Sequence, residues 1–90
     1  MGQPVSEYGV PVRLTASGLL KNGSGSLLGV FVASGTTPTI AIYEGTVTGG
    51  TILVNTFVPN TGVFTPIPFS FSTGCFATLG GTIDATFAVI

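Results

Sequence analysis

From Val12 onward the chain alternates apolar and polar residues with a period of two, and glycine, proline or asparagine interrupts the alternation roughly every 8–12 residues. Val12-Arg13-Leu14-Thr15-Ala16 reads as a strand that stops at Ser17-Gly18, and Asn22-Gly23-Ser24-Gly25 supplies the positive φ of a tight turn. Leu27-Leu28-Gly29-Val30-Phe31-Val32-Ala33 is the most continuous apolar run. Its β-branched and aromatic content predicts a central strand buried on both faces, with Gly29 at a bulge or a close contact. Ser34 to Pro38 reads as a loop. Thr39 to Glu44 puts Ile40 and Ile42 on one face and Ala41 and Tyr43 on the other, and it pairs as a hairpin with Thr51 to Val58 through the connection Gly45 to Gly50.

Pro59-Asn60-Thr61-Gly62 marks the next turn. Pro66-Ile67-Pro68 lacks two ladder donors, which places it at a sheet edge or at a crossing between sheets. Phe69-Ser70-Phe71-Ser72 alternates again with both rings on one face, Thr73-Gly74 turns, and Cys75 to Leu79 is a strand. Gly80-Gly81 turns once more, and Thr82 to Ile90 is a final strand whose apolar end is docked. No segment holds a 3.6-residue period over three turns. The pattern predicts an all-β fold, an antiparallel β-sandwich or jelly roll of about seven to eight short strands. Residues 1–12, polar and containing Pro4 and Pro11, read as an extended N-terminal arm, and residues 13–90 as a single β-sandwich domain.

Charge changes this picture most. Charged residues make up only 6% of the 90 residues, against about 25% in an ordinary soluble domain. They are Glu7, Arg13, Lys21, Glu44 and Asp84, so none lies between Gly45 and Ile83. Two basic residues cannot form the patch that nucleic-acid binding requires. There is no basic amphipathic helix, and glycine, proline and asparagine break every run well short of the roughly 20 apolar residues of a membrane-spanning helix. No positively charged segment precedes an apolar one in the manner of a secretory signal. Met1-Gly2-Gln3-Pro4-Val5-Ser6 fits the myristoylation pattern, which so short a match meets by chance. A β-rich chain with few charges to guard its strand edges is expected to be a homo-oligomer in which a neighbour covers them.

Catalytic equipment is sparse. Histidine is absent, which removes the usual general base and the commonest metal ligand, and no metal or cofactor motif is present. Glu44 and Asp84 could form a carboxylate pair only if the fold brought them together; otherwise they read as surface charges or as ion-pair partners of Arg13 and Lys21. Cys75 is the single cysteine and reads as a small buried hydrophobe, with an intersubunit disulfide as the alternative. No catalytic, cofactor-binding or metal-binding residue is expected, and the chain is expected not to be an enzyme. Seven phenylalanines exceed the needs of one small core. Four or five are expected inside and the rest at an interface, with Phe64, Ile67 and Phe69 as the interface residues because the flanking prolines expose that segment.

Residues 17–90 resemble small virion proteins of tailed bacteriophages. The likeness lies in Ser17-Gly18-Leu19-Leu20, the repeated Gly-Thr turns, Ile40-Ala41-Ile42-Tyr43-Glu44, Asn55-Thr56-Phe57-Val58-Pro59 and Gly80-Gly81-Thr82-Ile83-Asp84-Ala85-Thr86. These are strand and turn patterns and carry over no site residues. The resemblance implies a virion subunit that decorates or cements a capsid, bound to the major capsid protein or another virion protein and assembled as a trimer or another symmetric ring. A tail, neck or fibre component, with a receptor-binding module among its forms, is the alternative. Neither nucleic acid nor membrane is an expected partner.

Overall fold

The computed structural model of the chain describes residues 10–47 and 50–90, and these form six strands and no helix. In chain order they are β1 (Val10–Leu14), β2 (Gly18–Asn22), β3 (Gly25–Glu44), β4 (Ile52–Phe57), β5 (Phe64–Phe71) and β6 (Gly74–Val89). Every pair of these strands is antiparallel. The fold is all-β, as the alternation predicts. Residues 1–9, which include most of the expected arm, Glu7 and the myristoylation match, lie outside the described residues, as do 48 and 49 of the Gly45–Gly50 connection. Val10 to Val12, expected in the arm, belong to β1.

The centre is one ladder between the two long strands, β3 and β6, running from Leu27 opposite Val89 to Glu44 opposite Cys75. Each long strand takes two further partners on its other edge. Beside β3, β5 covers the first half and β4 the second; beside β6, β2 covers the first half and β1 the second. One half of the sheet therefore reads β1-β6-β3-β5 and the other β2-β6-β3-β4. The strands belong to one continuous hydrogen-bonded sheet, in place of two separate ones.

That sheet has to fold back. At about 3.3 Å per residue a straight β6 would hold Cys75 and Val89 about 46 Å apart, yet the whole molecule is 41 Å in its longest dimension. Lys21, which pairs with Cys75, lines the same groove as Val10, Val89 and Ile90, so the two ends of β6 meet. The bend lies where a loop and a turn were expected. Ser34 to Pro38 stays within β3, but its register slips between Val32 and Ser34 and again between Thr36 and Thr39. Thr37 there has φ 47°. Opposite it, Gly81 has φ 69° inside β6. The two segments bend together and stay paired, Thr36 with Thr82 and Thr39 with Gly80, which is why six strands replace seven or eight.

Folding back lets both halves share one core. Leu27, Val30, Val32, Ile40 and Ile42 of β3 meet Cys75, Ala77, Ile83, Ala85, Phe87 and Val89 of β6, with Leu20, Ile67 and Phe71 from the flanks. Alternation holds on either side of the bend in β6, where Cys75 and Ala77 and then the odd-numbered residues from Ile83 to Val89 point inward. In β3 a bulge between Leu27 and Gly29 shifts the inward set from Leu27 to the even-numbered Val30 and Val32. Gly29 is thus at a bulge, as its place in the run predicts. The expectation of burial on both faces fails for this strand, because Phe31 and Ala33 point outward and are exposed.

The β3–β4 hairpin forms as predicted, with Ile40 opposite Phe57 and Tyr43 opposite Ile52. The turns at Gly23-Ser24 and Ser72-Thr73 exist, but neither closes a hairpin: β2 pairs with β6, and β5 pairs with β3. Ile90 exchanges backbone hydrogen bonds with Ser26 at 2.8 and 3.1 Å, so the last residue is docked.

The bend makes a specific demand on Gly81. Its φ is strained for any other residue, and an added Cβ would press on the carbonyl oxygens of Thr36 and Thr37. Gly81→Ala is expected to lower the unfolding free energy by about 2 kcal/mol or more. Gly23→Ala, where an added Cβ meets nothing within 4 Å, is expected to cost about 1 kcal/mol. Urea denaturation of the two variants measures the difference, and equal costs would contradict this account of the bend.

Candidate functional site

Among the described residues, Arg13, Glu44 and Asp84 serve the fold. Arg13 on β1 donates from Nε and an η-nitrogen to the two carboxylate oxygens of Asp84 on β6, both at 2.9 Å. This bidentate contact holds the Asp84 carboxyl below its ordinary pKa and raises that of Arg13. Glu44 ends β3 and receives four hydrogen bonds on one oxygen. They come from the backbone N–H of Ser72 and Thr73, at 2.8 and 2.7 Å, and from their hydroxyls, at 3.2 and 2.8 Å. The Thr73 donors, its backbone N–H first, are the main cause of the lowered Glu44 pKa. The carboxylate fixes the turn that carries the chain from β5 into β6. Glu44 and Asp84 therefore do not face each other: one is level with Cys75, the other nine residues further along β6 and held on the outer face by Arg13.

Cys75 is fully buried opposite Glu44. Burial, with a smaller contribution from the Glu44 charge, pushes its thiol up to about 11. A thiol in that setting is a packing group, in keeping with the reading of Cys75 as a small hydrophobe.

What remains is surface. Exposed sheet edges invite pairing with another chain, but each free edge here carries an obstacle. Pro11 lies in β1, a register slip at Leu19–Lys21 breaks β2, two slips disturb β4, and β5 contains Pro66 and Pro68. The Pro66-Ile67-Pro68 segment is on a sheet edge, as its missing donors predict. Edge protection comes from proline and bulges in place of charge, which removes the edge-based reason for expecting an oligomer.

The outward faces are unguarded. Across one half of the sheet, Arg13, Thr86, Phe31 and Phe64 stand in register on four neighbouring strands. Phe31 is 40% and Phe64 50% exposed. The Phe64 ring lies against Gly29, where an added Cβ would come within 2.5 Å of it, so glycine is what leaves room for that ring. Across the other half, Leu19, Phe76, Tyr43 and Ile52 stand in register on β2, β6, β3 and β4. Antiparallel sheets that face water carry polar residues on that side. This second row has four apolar or aromatic ones.

Of the three residues expected at an interface, Phe64 and Phe69 are exposed, Phe69 at 46%. Ile67 is 5% exposed and belongs to the core, because the strand's alternation turns it inward between the two prolines. Only Phe71 and Phe87 are buried rings, with Phe57 packed at the core's margin, so fewer phenylalanines point inward than expected. Phe31 and the Leu19–Phe76–Tyr43–Ile52 row escaped the sequence reading. The outward parity of Tyr43 was visible, but the register that aligns it with Phe76 and Leu19 was not. No family model matches the chain, and no curated protein or solved structure is significantly similar to it.

Two measurements follow from the buried and bridging groups. Folding lowers the Glu44 pKa, so its contribution to stability is present above the ordinary value of 4.5 and is lost as pH falls through the folded-state value. Glu44→Gln is expected to unfold more easily than the wild type at pH 7, with the gap closing below about pH 4.5, as read from denaturation curves at a series of pH values. Alkylation of Cys75 at pH 8 is expected to be at least about 100-fold slower in the native protein than in denaturant. Comparable rates would mean the thiol is not buried as described.

Proposed function

We propose that this chain is a non-enzymatic structural subunit of a virus particle, a capsid decoration or cement protein that binds neighbouring coat proteins as an oligomer. The observation that carries this reading is the Phe31–Phe64 face. Two half-exposed rings stand opposite each other on neighbouring strands, in a chain whose Arg13, Asp84 and Glu44 serve the fold. A surface of this kind suits burial against another protein, since aromatic side chains are enriched at interface cores and charged ones depleted there. The likeness of residues 17–90 to small phage virion proteins supplies the kind of assembly. The partner surface is that of the major capsid protein or another virion protein, and the location is the virion.

The test mixes purified protein with mature capsids that lack it. Saturable, stoichiometric binding is expected, and Phe31→Ser with Phe64→Ser is expected to weaken it about 10-fold or more while leaving the fold intact. No binding to capsids would sink the decoration reading. Binding to host cells or glycans in its place would move the protein to the tail or fibre.

A further inference from the structure

We propose that the Leu19–Phe76–Tyr43–Ile52 row is the contact between two copies of this chain, packed face to face about a two-fold axis. The proposal takes from the proposed function only that the chain self-associates, and it names the surface.

The two outward rows differ in their symmetry. The first runs from a guanidinium at Arg13 through Thr86 to two aromatic rings, so one end is polar and the other aromatic. A copy turned end for end would lay its rings on the polar end. The second row reads aliphatic, aromatic, aromatic, aliphatic across about 14 Å, three strand spacings. Turned about a two-fold axis that lies in the contact plane and crosses the row at its middle, it is its own complement. Leu19 then meets Ile52 of the partner subunit, and Phe76 meets Tyr43 of the partner subunit. An isologous contact needs such a self-matching patch.

Charge and exposure favour the same arrangement. The row contains no Asp, Glu, Lys or Arg, so two copies meet without like-charge repulsion. The nearest charges in the chain are turned elsewhere: the Glu44 carboxylate is bound by Ser72 and Thr73, and Lys21 lines the groove beside Val10, Val12 and Ile90. On the same face, two residues along the strands from Tyr43 and Phe76, stand Ala41, Gly74 and Thr78. Ala41 and Gly74 are already buried, so the row itself is what this face offers to a second sheet, and sheets stack about 10 Å apart. Leu19 is 40% and Ile52 50% exposed, so the outer ends of the ridge are where burial is gained.

Sedimentation equilibrium of the full chain tests the proposal. The wild type is expected to sediment at twice its 9.0 kDa at 100 micromolar or below. Leu19→Lys and Ile52→Lys are each expected to raise the dimer dissociation constant at least 100-fold with the far-ultraviolet spectrum retained, whereas Phe64→Ser leaves the dimer intact. As a second measurement, Leu19→Cys protein mixed with Ile52→Cys protein is expected to form a disulfide-linked heterodimer in preference to either homodimer. A monomeric or trimeric wild type, a dimer that survives both lysine variants, a dimer lost in Phe64→Ser, or no preference in the cross-linking would each overturn it. Capsid binding by a monomeric wild type would defeat this inference and the oligomer of the proposed function, and leave attachment to the capsid standing; a dimer that ignores capsids would do the reverse.

Discussion

Everything in this fold hangs on the ladder between β3 and β6, which runs their length through three register slips. Two strands of 20 and 16 residues are too long to lie straight in so small a molecule. They therefore bend together, and the bend has to be made without losing pairing. Slipped register in β3, the positive φ of Thr37 and the glycine at position 81 absorb it. Once bent, the sheet brings its two halves onto one core, and each half gains its own pair of flanking strands. The position of every outward residue follows from that.

The scarcity of charge has a structural counterpart. Arg13 and Asp84 join β1 to β6 on the outer face, and Glu44 ties down the turn between β5 and β6. A carboxylate that accepts four hydrogen bonds from one turn replaces what would otherwise be a loose connection between strands that do not pair. Apart from the pair of Arg13 and Asp84, the outward rows hold no Asp, Glu, Lys or Arg: Thr86, Phe31 and Phe64 stand on one half and Leu19, Phe76, Tyr43 and Ile52 on the other. An aromatic pair occupies one face and an apolar row the other.

Edges and faces divide the work differently from what composition suggests. Few charges would leave the edges of an ordinary β protein open, and a neighbour would be needed to cover them. Here proline and bulges guard the edges, and the half-exposed rings and aliphatic side chains stand on the sheet's outward faces. Under the proposed function and the proposed dimer contact, attachment to a capsid and self-association would use different halves of the same sheet.

How much of this was legible in the chain depends on range. The period-two alternation fixed the all-β class, the β3–β4 hairpin, the edge placement of Pro66-Ile67-Pro68 and the bulge at Gly29, because each rests on neighbouring residues. Ser34 to Pro38 and Gly80-Gly81 looked like a loop and a turn, since the same residues that end strands also bend them. Only the pairing of one segment against the other decided between the two. Ile67 looked exposed between its prolines, and the parity of β5 against the core turned it inward. The two outward rows could not be read at all from the sequence. Each aligns four residues from four strands, and that alignment exists only once cross-strand register is set by the ladder.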